Sequence, residues 1–338
     1  MTHMIDNTNG RDSIAFAGAR PWHGLGVELT PDAGLETWER EAGLGYKVRR
    51  APVQFRIDEP CVEYPGRDVL FRSDTGAPLS VVSSDYKIVQ PAEVLHFFAE
   101  LVKHNRFAME VAGVLEGGCR VWALARVNDG ATVIGHDVVR PYVLLATSYD
   151  GTLATIAKFT AIRVVCHNTL TMAAGHGAEQ RGQSEMDTTS GPVVQCVRVP
   201  HSRAFDAKAA QLDLGIAVNA WDRFLIEARS MAHTPVDEPF AREYLRQLLP
   251  APRAKPGTAP RPVDTTEAYQ RILALFRGDA QMATMPEARG TAWGLLNAVT
   301  WYVDHERGSD AHRFKNATLG VGDALKTKAR EMLAEVIA

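Results

Sequence analysis

The segment AIRVVCHNTL, residues 161–170, ends an apolar run in four side chains that could do chemistry. Cys166, His167, Asn168 and Thr169 supply a thiol, an imidazole, a carboxamide and a hydroxyl in succession. Neighbours on a strand point to opposite faces, so Cys166 and His167 cannot easily face each other as a dyad. A buried structural cysteine is the commoner role. An enzyme that uses the Cys166-His167-Asn168 segment with a distant partner remains an alternative.

Signals for metal and nucleotide chemistry are missing from the sequence. The eleven histidines are scattered, and neither HExxH nor a His/Cys cluster at ligand spacing occurs. The four cysteines form no CxxC pair, which indicates reduced thiols rather than a redox or zinc motif. No glycine-rich loop of the dinucleotide or Walker type follows a strand. We therefore predict no metal and no cofactor.

Basic residues flank the polar segment and also gather earlier in the chain. Lys47, Arg49, Arg50 and Arg56 lie in one extended stretch without an acidic residue among them. Cations and hydroxyls meet phosphates, and aromatic rings stack on bases, so this pattern favours a single strand of nucleic acid. An ordinary sheet with a solvated face would show similar residues. The predicted nucleic-acid contacts are Arg49, Arg50, Arg56, Tyr149, Lys158, Arg163, His167 and Asn168.

Bulk composition limits the class of protein. The 338 residues are 46% hydrophobic, enough for one large domain or two ordinary ones. The net charge of -3 excludes a wholesale basic coat, although it leaves room for a local basic groove. The first residues are polar, and no apolar run approaches the roughly 18 residues that a membrane span needs. We expect a soluble, cytoplasmic protein without membrane association.

The elements that must position these residues suggest an α+β fold. Strand patterns dominate first and amphipathic helices follow, which predicts an antiparallel β-meander core with helices and then a mostly helical C-terminal part. Hairpin turns are predicted at residues 74–76 and 117–118, and a helix is predicted to begin at Pro91. The predicted divisions are a flexible N-terminal arm at 1–20, an α+β core domain at 21–200, a helical segment at 201–249, a Pro-rich linker at 250–264 and a helical C-terminal segment at 265–338.

Five long helices are expected in the second half of the chain. A short helix is also predicted after Cys166, with Asn168 or Thr169 as its N-cap and Gly175 as its stop. The stretch TAWGLLNAVTWYVDHERG carries aromatic residues around most of its helix, which indicates burial on several sides. The predicted long helices cover 203–231, 236–249, 265–278, 288–306 and 320–337.

Four motifs together resemble a known family. They are GARPWHGLG, SSDYKIVQPAEVLHFF, TSYDGTLATIAKFTAIRVVCHNTL and TAWGLLNAVTWYVDHERG. In this order they resemble the phage/plasmid-like protein family over about residues 18–335. That family is chiefly a domain of unknown function carried by bacteriophages, prophages and plasmids. The resemblance implies a setting in DNA metabolism of a mobile element. The β-β-β-α core of one branch of phage single-strand annealing proteins is compatible with the order of elements here.

These observations lead to one functional hypothesis. We expect a non-enzymatic protein that binds single-stranded DNA and anneals it, as a homo-oligomer. Changing Lys158 and Arg163 to alanine is expected to weaken binding without unfolding the protein. Besides the enzyme, a protein-interaction module against host defence stays open; it predicts a protein partner and no affinity for nucleic acid.

Overall fold

A computed structural model describes most of the chain. The described residues are 5–8, 10–18, 25–57, 60–103, 107–163, 169–171, 196–215, 218–252, 261–279, 286–309, 313, 316–317 and 320–337. Antiparallel strands dominate the first part and helices the second, so the predicted α+β class is confirmed. No helix among these residues has the length and apolarity that crossing a bilayer requires.

The strands and helices have the following bounds. The strands are β1 (Ile14–Ala17), β2 (Val27–Leu29), β3 (Val48–Arg56), β4 (Cys61–Arg72), β5 (Pro78–Ser83), β6 (Ala108–Leu115), β7 (Arg120–Arg126), β8 (Ala131–Ile134), β9 (Asp137–Ser148), β10 (Thr155–Arg163), β11 (Thr169–Thr171) and β12 (Cys196–Val199). The helices are α1 (Leu35–Glu41), α2 (Pro91–Lys103), α3 (Ala207–Gly215), α4 (Val218–His233), α5 (Glu238–Leu248), α6 (Glu267–Phe276), α7 (Ala292–Trp301) and α8 (Val321–Ile337).

The chain divides into two compact units whose segments alternate along the sequence. The first unit comprises residues 1–128, 142–159 and 196–216, and the second comprises 129–141, 160–195 and 217–338. The sequence-based divisions ran in simple succession along the chain. They differ because β9 and β10 each contribute residues to both units, a pairing that sequence order does not reveal.

The first unit contains two sheets. Its larger sheet has the order β12-β10-β9-β7-β6-β1-β2. Strands β1 and β2 are parallel, and the pairs β1-β6, β6-β7, β7-β9 and β10-β12 are antiparallel. Helix α2 packs against β6 and β7 and buries Phe97 and Phe98. The smaller sheet is antiparallel in the order β3-β4-β5. Its hairpin turn at Gly76, where φ is +69°, confirms the predicted 74–76 turn.

Strand β1 lies where a flexible N-terminal arm was expected. All four of its residues, Ile14 to Ala17, are buried, and the strand pairs with both β2 and β6. The run IAFA is a short continuous apolar segment of the kind that forms a fully buried strand. The prediction of a loose arm over residues 1–20 is therefore wrong for this segment.

The second unit is mostly helical. Its small β elements are β8 paired with the start of β9, and β11 paired with residues 160–162 of β10. Helix α7 is buried along its whole length and packs against α4, α6 and α8. Burial on several sides of this aromatic helix was predicted and is confirmed.

One helix prediction differs from the structure. Thr169 belongs to β11 and not to the cap of a short helix, because Thr169 to Thr171 pair with Ile162 to Thr160. There the local helical pattern is outweighed by tertiary pairing that propensity does not report. Over the residues expected as a helix at 203–231, the structure describes α3 (Ala207–Gly215) and α4 (Val218–His233).

Candidate nucleic-acid interface

The small β3-β4-β5 sheet presents its two faces to different surroundings. Strand residues alternate between faces, and the registers place Val48 opposite Arg72, and Leu70 opposite Arg50. On that inner face Val48, Leu70 and Val82 are each at most 6% exposed. The other face points away from this core. The ribbon formed by the far ends of β3 and β4 is exposed along both strands.

We call the outward side of this sheet the ring face. Its largest side chains are apolar or aromatic, yet open to solvent: Phe55 is 41% exposed, Tyr64 51% and Val81 59%. Phe55 lies opposite Val62, and Tyr64 is two residues further along the same strand side. Exposed apolar surface of this kind is often associated with binding sites in proteins. The ring face comprises Arg49, Val53, Phe55, Val62, Tyr64, Arg67, Val69, Phe71 and Val81.

Two aromatic rings form the centre of the ring face. The ring centroids of Phe55 and Tyr64 are 6.5 Å apart, and their planes make an angle of 69°. This edge-to-face arrangement is favourable for a pair of aromatic rings. Both rings keep much of their surface exposed, so each can still accept a flat partner from solvent.

All three arginines of the extended stretch are exposed, and Arg49 and Arg56 lie on opposite faces of the ribbon. The guanidinium carbon of Arg49 lies 5.9 Å from the centroid of Phe71, on the ring face. Arg67, which the sequence analysis did not select, shares that face because it is two residues before Val69. Arg56 pairs across the ribbon with Cys61 and therefore lies on the opposite side. Arg49, Arg56 and Arg67 form no ion pair with another described residue.

Arg50 keeps 36% of its side chain exposed, yet its hydrogen bonds join the sheet to the loop after β5. Its guanidinium donates to the carbonyl oxygen of Ser84 at 2.7 Å and to Asp68 at 3.2 Å. It also lines a cavity of about 370 Å³ together with Tyr86 and Lys87. These bonds give Arg50 a structural role and reduce its freedom to meet a phosphate.

Two further predicted contacts, Tyr149 and Lys158, lie in the interior of the first unit. The Tyr149 ring has no exposed surface, and its hydroxyl donates to the carbonyl oxygen of Val89 at 2.9 Å. Burial raises the pKa of Tyr149 well above its ordinary value, as expected for a core tyrosine. Lys158 is only 6% exposed on β10. A ring without exposed surface cannot stack on a base, so the prediction for Tyr149 is corrected.

The remaining predicted contacts lie outside the described part of the chain. Residues 164–168, which include Cys166, His167 and Asn168, are not among the described residues. Arg163 ends β10, but its side chain is likewise outside the described part. The enzyme hypothesis and four of the proposed contacts or catalytic groups therefore remain predictions.

A buried cluster of ionic side chains lies at the turn between β4 and β5. Arg72 is only 1% exposed. Its guanidinium donates to Asp6 at 2.9 Å and to both carboxylate oxygens of Asp74. The guanidinium carbon lies 4.1 Å from the centroid of the Tyr46 ring. The hydrogen bonds from Arg72 lower the pKa of Asp74 below its ordinary value. A buried guanidinium needs such partners, and together they fix the β4-β5 turn to the N-terminal segment.

The second unit holds the most aromatic of the four motifs, and there it serves packing. The indole nitrogen of Trp293 donates to Asp137 at 2.7 Å, and Trp301 stacks on His305 with ring centroids 3.9 Å apart. Glu306 receives both a 2.7 Å and a 2.8 Å bond from Arg271. In the described ranges no group of three or more His, Cys, Asp or Glu residues is arranged to hold a metal ion.

The fold and the open sheet face define an α+β protein with an exposed aromatic and basic surface. The chain belongs to the family described as Domain of unknown function (DUF932), whose model matches residues 78–184 and 186–331. No curated protein and no solved structure matches the chain. Strands β3 and β4 precede the matched residues, so the family match does not extend to most of the ring face.

The sequence analysis missed the rings of Phe55 and Tyr64, although a signal for them was present. The runs VQF at 53–55 and VEY at 62–64 both alternate with period two, which places each ring on the same face as its valine. The pairing that brings the two rings together depends on an irregular register between Pro52 and Gln54. That irregularity is not visible in the sequence.

Proposed function

We propose that this chain binds single-stranded DNA on the ring face, as an accessory protein of DNA metabolism in a mobile genetic element. One observation carries the proposal: two exposed aromatic rings lie on one sheet face that also holds Arg49 and Arg67. Rings stack on bases of any sequence, and guanidinium groups meet phosphates. A duplex keeps its base faces covered, so stacking of this kind favours unpaired strands.

The charges on the ring face support a polyanion rather than a second copy of the same surface. Both charged members of the face as we define it, Arg49 and Arg67, are cationic. Two copies that met face to face would bring arginines together, and like charges in contact are unfavourable. A polyanion neutralises the same charges. Oligomerisation through other surfaces, which the sequence analysis expected, is compatible with this proposal.

Fluorescence anisotropy of a labelled thymidine oligonucleotide tests the proposal. The wild type should bind, and unlabelled single strand should compete better than duplex. Phe55→Leu with Tyr64→Leu keeps the surface apolar but removes both rings, and should weaken binding about tenfold or more. Arg49→Ala with Arg67→Ala should weaken it and reduce its dependence on salt.

Three matched variants serve as controls. Ile226→Ala removes an apolar side chain that is 68% exposed on α4, and Lys208→Ala removes an exposed cation on α3. Tyr149→Phe removes the hydroxyl of the buried tyrosine. All three should bind as the wild type does. Absence of binding at low salt, or equal affinity in the ring and control variants, would refute the proposal and turn attention to Cys166 or to a protein partner.

A further inference from the structure

The distance and the angle between the rings of Phe55 and Tyr64 limit how two bases of a bound strand can stack. Base planes in a duplex are parallel and follow one another at about 3.4 Å along each strand. The rings of Phe55 and Tyr64 are 6.5 Å apart and inclined by 69°. A base stacked on each ring would take the inclination of that ring. Two such bases cannot be stacked on one another.

We infer that the ring face holds its strand in an unstacked form and so opposes duplex formation, an inference that rests on the proposed function. Nucleotides seated on Phe55 and Tyr64 would break the regular stacking at that step. A complementary strand can pair with those nucleotides only after they leave the rings. Protein and complement therefore compete for the same nucleotides, and the activity is strand holding rather than strand annealing.

The surroundings of the rings strengthen this competition. Val62, 42% exposed, lies opposite Phe55, and Val81, 59% exposed, lies on the same face further along the sheet. Unstacked bases expose apolar faces to water, and an apolar protein surface lowers the cost of that exposure. Paired bases offer no such face except at a duplex end. The ring face therefore stabilises the open strand and gains little from the duplex.

The linkage between binding and pairing gives the size of the effect. At a free protein concentration about ten times the Kd, roughly one tenth of the strand is free. If only free strands pair and the protein binds both complementary strands alike, annealing should slow by about a hundredfold. A protein that promotes annealing would instead speed the reaction at the same occupancy. The sign of the change in rate therefore separates the two activities.

Stopped-flow annealing of two complementary oligonucleotides carrying a donor and an acceptor dye tests the inference on the full-length protein. Occupancy is measured by anisotropy on the same strands. The wild type and the Ile226→Ala control should slow annealing by the same factor. At matched occupancy the Phe55→Leu, Tyr64→Leu variant should slow it less, because its contacts leave base stacking intact.

A second measurement reports the unstacking directly and does not require the double variant to fold. An oligonucleotide with 2-aminopurine between two thymidines brightens when the fluorescent base loses its stacked neighbours. Wild-type protein should increase this emission, and Tyr64→Leu alone should reduce the increase. Unchanged or faster annealing at full occupancy, or quenched 2-aminopurine, would overturn strand holding while leaving DNA binding intact. No anisotropy change would instead refute the proposed function itself.

Discussion

At the scale of residues, alternation along β3 sorts the predicted arginines into different roles. Arg49 shares a face with Phe55, whereas Arg50 and Arg56 lie on the other side of the strand. Near the core, the inner face of the sheet carries buried side chains such as Val48 and Leu70. Arg50 lies on the same face and bonds to backbone carbonyl groups. Near the end of the ribbon both faces are open, and Arg56 stays exposed. Arg50 thus has a structural role, Arg49 is a proposed phosphate contact, and Arg56 has neither role.

The Arg72 cluster makes a residue-scale prediction about pH. Hydrogen bonds from Arg72 lower the pKa of Asp74, so the folded state binds this proton less readily than the unfolded chain. The ionised Asp74 therefore stabilises the folded state at pH values above the ordinary carboxyl pKa. This stabilisation is lost as the pH falls through the lowered pKa of Asp74. Asp74→Asn should therefore reduce the free energy of unfolding by about 1 kcal/mol at neutral pH, and less in acid.

Urea unfolding at pH 7 and near pH 3 measures this difference. Asp85→Asn changes an exposed aspartate and should shift stability by less than about 0.5 kcal/mol at both values. If the two variants behave alike at neutral pH, Asp74 does not stabilise the β4-β5 turn in the way described.

At the scale of elements, α7 shows how a motif with aromatic residues around most of its helix is packed. All ten of its residues are buried, and Thr291 caps its first turn by accepting from the Gly294 amide at 3.1 Å. Asn297 and Thr300 satisfy their side chains on backbone carbonyls within the helix. A π-helical turn, Tyr302–Glu306, continues it and leads Glu306 to Arg271. Asn297 and Thr300 are thus satisfied within the helix, whereas Asp304 and Glu306 accept bonds from Lys326 of α8 and Arg271 of α6.

Gly294 sets a close approach at the start of α7, and this gives an element-scale prediction. A Cβ atom at this position would lie 2.1 Å from the carbonyl oxygen of Ala288, which is backbone and cannot turn aside. Gly294→Ala should lower the free energy of unfolding by about 3 kcal/mol, as overpacking does. Gly45→Ala is the control, because nothing lies within 4 Å of its added Cβ. Thermal unfolding followed by tryptophan fluorescence compares the two; equal melting temperatures would contradict the packing at Ala288.

At the scale of the whole molecule, the net charge of -3 makes any affinity for nucleic acid a local property. The cations of the ring face are Arg49 and Arg67, and each can replace one counterion on a bound strand. Long-range attraction by the rest of the molecule is not expected at this charge. Binding should therefore be moderate in its response to salt, with much of its free energy supplied by the rings.

A salt titration tests this division of the binding energy. For a single strand the slope of log K against log salt is about -0.7 per phosphate contact, so the two arginines of the ring face predict a slope of about -1.4. Arg49→Ala should reduce the magnitude of the slope by about 0.7, while Lys208→Ala should leave it unchanged. The slope is obtained from affinities measured by anisotropy at salt concentrations from about 50 to about 300 mM. A much steeper slope in the wild type would mean that a different basic surface dominates.

The sequence alone determined the class of fold and most of its elements. Period-two alternation and the turn residues at 74–76 and 117–118 located the hairpins, and period 3.6 located the helices of the second half. These signals are local, because backbone hydrogen bonding and side-chain alternation act over a few residues. The same locality explains the misses: the run IAFA is short enough to pass for a loose arm until β2 and β6 pair with it.

The tertiary structure decided which side chains are available for function. Tyr149 and Phe55 are both aromatic residues in or next to strands, yet one is fully buried and the other is 41% exposed. Nothing within a few residues of either ring fixes that difference. Burial depends on which elements pack over a strand, and those elements come from distant parts of the chain. The sequence therefore predicted strands with arginines and rings, and only the packing of β3, β4 and β5 determined which face remains open.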